Sequence, residues 1–98
     1  MDWPGAGQHP AVILTRQTAI PVLSAVTVAL TTSTVRDLPT EVPVGRAHGL
    51  DHECVINCDN IVTVSKEALR RYRGHLGPEE LFRLRRTLMI ALGLDSTV

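Results

Sequence analysis

Between residues 9 and 76 the apolar positions fall in short runs, several of them alternating with polar ones; after Pro78 the spacing lengthens to three and four. A two-residue period marks a strand with one buried face, and the longer period marks an amphipathic helix. Pro10 to Leu14 is a short apolar run with a β-branched centre and is expected as a buried strand. Residues 17–24, with Pro21 inside, read as a connection, and Ala25 to Thr31 as a second, partly alternating strand. Thr32 to Pro39 is a polar loop. Thr40 to Val44 alternates and holds Pro43, which suits an edge strand because proline donates nothing to a ladder. Gly45 to Glu53 is turn-rich, and Cys54 to Val64 is a strand pair or one long bent strand. Ser65 to Leu69 reads as one helical turn capped by Ser65, and Arg71 to Leu76 as a further strand.

The chain is expected to end in a helix over 78–92. Pro78 suits its first turn, and Glu79 and Glu80 suit the positive end of its dipole. Leu81, Leu84, Leu88, Ala91 and Leu92 form one apolar stripe, Glu79 can pair with Arg83 one turn on, and Gly93 is placed to stop the helix. The stripe is core or dimer interface. Residues 1–8, with Pro4, Gly5 and Gly7, form an irregular arm. Several short strands followed by one helix predict a single α+β domain over 1–98, a small barrel or sheet.

Composition supports that picture. The chain has 98 residues, 44% apolar and 20% charged, enough for one small core. The longest apolar run, Ala19 to Leu30, is broken by Pro21, Ser24 and Thr27, whereas crossing a membrane takes about 20 apolar residues. The opening Met1-Asp2-Trp3-Pro4 has no cationic stretch before an apolar one, so no signal peptide is read and a cytoplasmic protein is expected. Ten basic residues balance ten acidic ones, which argues against a protein living on non-specific nucleic-acid affinity. The balance is uneven: residues 1–69 hold four basic and seven acidic side chains, residues 70–98 six arginines and three acids.

His48, His52, Cys54 and Cys58 are metal-capable and close in sequence. On a straight strand, however, positions four apart lie about 13 Å from each other, too far for both thiolates to reach one zinc ion. Two buried, reduced thiols are the expected reading, with no metal and no cofactor. His75 stands alone and reads as a surface residue. The chain has no phosphate-binding glycine loop, no metalloprotease helix and no nucleophile elbow. Its three aromatics, Trp3, Tyr72 and Phe82, are too few for a base-stacking platform.

Four segments carry a resemblance. His9-Pro-Ala-Val-Ile-Leu-Thr15 resembles the R-P-V-V-V-L-S strand of MazF/PemK-type toxins. TVALTTSTVRDLPTEVPV, from Thr27 to Val44, resembles that family's VAPITTTVRGLPTEVPV, and VINCDNIVTV, from Val55 to Val64, its VVNCDNIRTV. Leu69 to Leu94 is similar to its closing strand and LSPEEL…ALGL helix. The four occur in the family's order across residues 9–94. The resemblance implies a small SH3-like antiparallel β-barrel with a C-terminal helix, assembled as a homodimer. It implies the toxin of a type II toxin–antitoxin pair: a metal-independent, sequence-specific endoribonuclease cutting single-stranded RNA, mRNA in the first instance. A small, acidic, partly disordered cognate antitoxin would cover the RNA groove.

In this family the 2′-hydroxyl attacks the adjacent phosphate, leaving a 2′,3′-cyclic phosphate and a 5′-hydroxyl. An arginine before the strand proline and a threonine in the I-T-T-T stretch are central. The threonine maps to Thr32, whose hydroxyl can donate to a phosphoryl oxygen. The arginine maps to position 9, which is His9 here. Histidine lacks arginine's permanent charge and bidentate fork, but transfers protons near its ordinary pKa of about 6.5. His9 is thus either a working but weaker replacement or a lesion, leaving a binding module that engages antitoxin or another protein target. Arg36 is placed to hold a phosphate, with Ser33 and Thr34 beside it. Glu41, Asp59 and Asn60 fall where family members read bases. The family's first strand is missing or compressed into residues 1–8, and the exposed edge this leaves needs covering, with Trp3 the candidate.

Overall fold

The computed structural model describes residues 2–3, 9–69 and 74–95. Five strands, β1 (Asp2–Trp3), β2 (His9–Ile13), β3 (Ala25–Thr32), β4 (Glu41–Val44) and β5 (Cys54–Ser65), precede one helix, α1 (Pro78–Ala91). They form one antiparallel sheet in the order β1-β2-β3-β5-β4. The sheet curls into a half-barrel with α1 packed on β4 and β5. Among the described residues no ladder joins β1 to β4. In the segment where the first strand is expected to be missing or compressed, β1 has two residues, paired Asp2 to Pro10 and Trp3 to His9. The Trp3 side chain, expected over the sheet edge, lies outside the described residues.

β4, with Pro43, sits at the other edge, as the proline requires. Cys54 to Ser65 is one strand, not a pair, but it is interrupted. Ala29 of β3 pairs with Ile61, while Leu30 pairs with Asn57, leaving Cys58, Asp59 and Asn60 as an excursion on β5. Such an insertion bends a strand and re-aims its side chains. Cys54, Ile56 and Cys58 join the same core cluster, as does Ile61, but Val62 and Val64 belong to the opposite one.

Both faces of the sheet are therefore covered, each over part of its length. On one face Ala29, Val42, Val44, Cys54, Ile56 and Cys58 pack beneath Leu84, Leu88 and Ala91 of α1. On the other, Ala11, Val26, Val28 and Val64 pack with Ile13, Ile20 and Leu69, so the 17–24 connection serves as a lid. β3 records the change of cover: Val26 and Val28 are buried on the second face, Ala29 and Thr31 on the first.

Ser65 caps a short 3-10 turn, Lys66–Ala68, by accepting a hydrogen bond from the Glu67 N–H. Pro78 opens α1. At its end Leu94 N donates to Met89 O at 2.7 Å and Gly93 N to Ile90 O at 3.1 Å, with Gly93 at φ 70°. This is the left-handed stop that favours glycine, and the helix closes at Ala91 with Leu92 as its cap. The buried stripe is narrower than its spacing predicts. Leu84 is buried, and Leu88 and Ala91 pack on the core, but Leu81 and Leu92 are 38% and 57% exposed. The predicted Glu79–Arg83 pair is not formed; the neighbouring Glu80 instead faces His48 Nε2 at 3.6 Å. The predicted strand over 71–76 is corrected in its described part, since residues 74–77 form no strand; residues 71–73 lie outside the described residues.

Candidate functional site

β3 runs out from under its lid. Past Val28 its second face carries Leu30, the last residue to pack against the lid-covered cluster, and then Thr32, both half-buried. By lateral pairing Leu30 stands beside Asn57 and Glu41, and Thr32 beside Val55 and Pro43. Side chains at paired positions share a face, so Thr32, Glu41 and Asn57 are on one open surface. Thr32 closes β3, and its Oγ1 accepts a hydrogen bond from Thr34 N at 3.1 Å. That contact uses a lone pair and leaves the hydroxyl proton to donate elsewhere. Thr31, one position back, points to the helix-covered face. It is buried, and its hydroxyl donates to Pro10 O at 2.6 Å. The sequence contains the pair Thr31-Thr32 without a signal to separate them; the structure assigns one to the core and one to the surface.

The loop after Thr32 holds Ser33, Thr34 and Arg36, all exposed. Asp37 within it has φ 54°, a left-handed conformation rare outside glycine. Glu41 holds this turn. Its Oε1 accepts from Arg36 N at 3.1 Å and Leu38 N at 3.3 Å, and its Oε2 lies 3.3 Å from Arg36 N. Glu41, predicted as a base reader, thus has a carboxylate already engaged by backbone. Asp59 and Asn60 are both exposed on the β5 excursion, where a regular strand would not carry them outward together. The excursion is tied to the loop: Thr40 Oγ1 donates to Asp59 Oδ2 at 2.6 Å and Cys58 N donates to Thr40 O at 2.9 Å. Asn57 Oδ1 accepts from Asp59 N at 3.0 Å. Thr40 and Asn57 were not singled out by pattern, because neither residue announces a contact that depends on an insertion in β5.

The structure therefore brings together Thr32, Ser33, Thr34, Arg36, Glu41, Asp59 and Asn60 at one end of the sheet. His9 is placed by its backbone in β2. The β2–β3 register, Ala11 to Leu30 and Val12 to Ala29, carried two residues further, sets position 9 opposite Thr32. The His9 side chain lies outside the described residues.

The cysteines and histidines are arranged for packing. Cys54 and Cys58 are buried and free. Burial pushes both thiols up, Cys58 to about 11, with Asp59 adding to it; for Cys54 the neighbouring Thr31 hydroxyl opposes the shift and Glu53 adds to it. Among the described residues no three of His, Cys, Asp and Glu gather as a metal site. His48 fastens the β4–β5 loop instead: its Nδ1 accepts from Gly45 N at 3.0 Å while Nε2 faces Glu80. His75 is exposed, as predicted, and borders a cavity of about 220 Å³ with His48, Pro10 and Thr31. That cavity does not reach Arg36, Asp59 or Asn60.

Comparison with known proteins gives this arrangement its context. Residues 4–92 match the model of the PemK-like, MazF-like toxins of type II toxin–antitoxin systems. The chain is 47% identical over 68 residues to the endoribonuclease MazF3 of Mycobacterium tuberculosis, a stretch covering 69% of this chain and 66% of that relative, just under two thirds of its length. It is 34% identical over 88 residues to a probable endoribonuclease, MazF2, of the same organism, covering 89% of this chain and 86% of the relative. Among solved structures, the Mycobacterium tuberculosis toxin MazF-mt6 superposes with a TM-score of 0.91 at 38% identity, covering 97% of this chain and 96% of that one. A mycobacterial endoribonuclease in complex with its cognate antitoxin superposes at 0.86 with 29% identity, covering 98% and 92%. Family model, sequence relatives and fold agree with the four-segment resemblance, and the chain belongs to the PemK-like, MazF-like toxin family of type II toxin–antitoxin systems.

Proposed function

We propose that this chain is the toxin of a type II pair, a homodimeric endoribonuclease that cuts single-stranded RNA at a preferred sequence and is neutralised by a cognate antitoxin. The observation that carries this reading is the convergence, on one uncovered end of the sheet, of a strand-end hydroxyl, an exposed guanidinium and two exposed base-pairing side chains: Thr32, Arg36, Asp59 and Asn60. Relatives named endoribonucleases and a structural neighbour bound to its antitoxin support the activity and the partner. Exposed apolar residues on and after α1, among them Phe82, Ile90, Leu92 and Leu94, support a further interface for a second subunit.

The chemistry follows from the groups. The RNA 2′-oxygen attacks the neighbouring phosphorus and loses its proton, the bond from phosphorus to the 5′-oxygen breaks, and that oxygen takes up a proton. The products are a 2′,3′-cyclic phosphate and a 5′-hydroxyl, and no metal step is required. Thr32 donates to a non-bridging oxygen as charge develops there. Arg36 holds the phosphate, with Ser33 and Thr34 alongside. Asp59 and Asn60 read base edges in a strand whose bases are unpaired. His9 moves a proton in place of the family arginine, and without the arginine's charge the rate is reduced. His9 also favours a second reading, a catalytically impaired module that binds antitoxin or another protein.

A cleavage assay on a long unstructured RNA in EDTA decides between them. Cut products with 5′-hydroxyl ends, lost in Thr32→Ala and in His9→Ala, are expected of the enzyme. Silence in wild type with cutting restored in His9→Arg is expected of the impaired module. Silence in both, with antitoxin binding intact, refutes the enzyme reading.

A further inference from the structure

Glu41 offers an inference that rests on this reading and deepens it. A residue that reads a base needs its hydrogen-bonding edge turned to the RNA, and the Glu41 carboxylate is turned to the protein, with Oε1 already accepting from two backbone amides. Both of its oxygens face the loop backbone, through Arg36 N and Leu38 N. These two amides flank Asp37, the residue held at φ 54°. Aspartate is among the few side chains that adopt that region, and it is held there most firmly when its neighbours fix the loop around it. The strand register supplies the anchor: Glu41 pairs with Asn57 and, through it, stands in line with Leu30. One residue before, Thr40 is bonded to the β5 excursion through both its carbonyl and its hydroxyl. The start of β4 is therefore fixed to β5 on one side and grips the Arg36 loop on the other.

We infer that Glu41 is a positioning residue, a clamp that fixes the Arg36 loop at a set distance from Asp59 and Asn60, so that a phosphate and a base of the same RNA strand are held together. The clamp also explains why a carboxylate is tolerated beside a loop that holds a phosphate anion. Its charge is met by two N–H dipoles, and Arg36 contributes its backbone rather than its guanidinium to the contact.

The test compares wild type, Glu41→Gln and Glu41→Ala by two independent readouts. Limited trypsin digestion needs no RNA: Arg36 is exposed, and the rate of cutting after it, divided by the rate after Arg16 in another exposed segment, reports local opening corrected for global unfolding. Glu41→Ala is expected to raise that ratio about tenfold, as two charge-assisted bonds are lost. Glu41→Gln keeps a carbonyl oxygen at the Oε1 position and is expected within about threefold of wild type. In RNA cleavage, Glu41→Ala is expected to raise KM about tenfold with kcat much less affected, because a loosened Arg36 weakens binding rather than chemistry. Glu41→Gln is expected to cut the same sequences as wild type. An unchanged trypsin ratio in Glu41→Ala, or a Glu41→Gln ratio equal to that of Glu41→Ala, overturns the clamp. So does a changed cleavage sequence in Glu41→Gln, the signature of a base reader whose acceptor has become a donor. If wild type cuts no RNA, the enzyme reading falls while the trypsin ratio still decides the clamp.

Discussion

Two adjacent threonines should separate stability from chemistry. Val replaces Thr with nearly the same shape and keeps the β-branch, so Thr31→Val and Thr32→Val each remove a hydroxyl and little else. Thr31 is buried, and its hydroxyl donates to Pro10 O at 2.6 Å. Removing it leaves the Pro10 carbonyl without that donor, a loss of about 1–2 kcal/mol. For a domain of this size that is a fall in Tm of about 5–10 °C. Thr32 is half-buried, and its hydroxyl accepts from Thr34 N in an exposed loop, so its removal should cost about 0.5 kcal/mol or less. Its effect should appear in the chemistry: if the hydroxyl donates to a phosphoryl oxygen in the transition state, kcat falls about 100-fold or more. Thermal melts followed by circular dichroism and single-turnover RNA cleavage, run on the same preparations, measure both. The reasoning fails if Thr31→Val melts with wild type, or if Thr31→Val loses kcat at unchanged KM while Thr32→Val keeps it. The latter result would move the phosphate donor to Thr31, across the sheet to the side where Pro10 and the His48–His75 cavity lie.

Two further outcomes follow from the core. Leu84 is the one large apolar side chain of α1 buried among the described residues, and it joins the cluster of Val42, Val44 and Ile56. Leu84→Ala should cost about 3 kcal/mol in urea unfolding, whereas Leu92→Ala, at a position 57% exposed, should cost under about 0.5 kcal/mol in the isolated subunit. The Cys58 thiol, raised from 9.0 to about 11, keeps its proton in the folded chain after the unfolded chain has lost it. The unfolded state binds fewer protons in that interval, so stability is complete below pH 9 and falls by about 2–3 kcal/mol as pH climbs to about 11. Cys54, raised by burial as well, adds in the same direction. Urea titrations at pH 8, 9.5 and 10.5 should follow that slope, and Cys58→Ala should flatten it.

What could be read from the residues follows from what each signal depends on. β3, β4, the Ser65 cap and α1 were legible because their signals are local: alternation, an edge proline, a capping hydroxyl, a proline start and a glycine stop. The site of the β5 excursion was not, since CVINCDNIVTV reads equally as a strand pair or one long bent strand and only its pairing with β3 shows where the register jumps. The width of the helix stripe was not legible either, because how much of a stripe is buried depends on the breadth of the surface beneath it. Seven of the eight candidate site residues are placed at one end of the sheet, because the resemblance supplied positions that spacing alone did not. The hydrogen bonds of Glu41 are illegible for the opposite reason: they run to a loop backbone whose path no side-chain pattern records.

The two departures from the family pattern, the histidine at position 9 and the shortened first strand, meet at one place. β1 has only two paired residues, and they face His9 and Pro10. On its other side β2 is paired to β3, whose register sets position 9 opposite Thr32. The backbone at position 9 is thus laddered to β1 at Trp3, and the β2–β3 ladder begins two residues further on, at Ala11. A side-chain exchange at a laddered strand position changes the group presented far more than the path of the chain. For the same reason His9→Arg is an interpretable reversal: it returns a permanent charge and a bidentate fork to a backbone position that the ladder already holds.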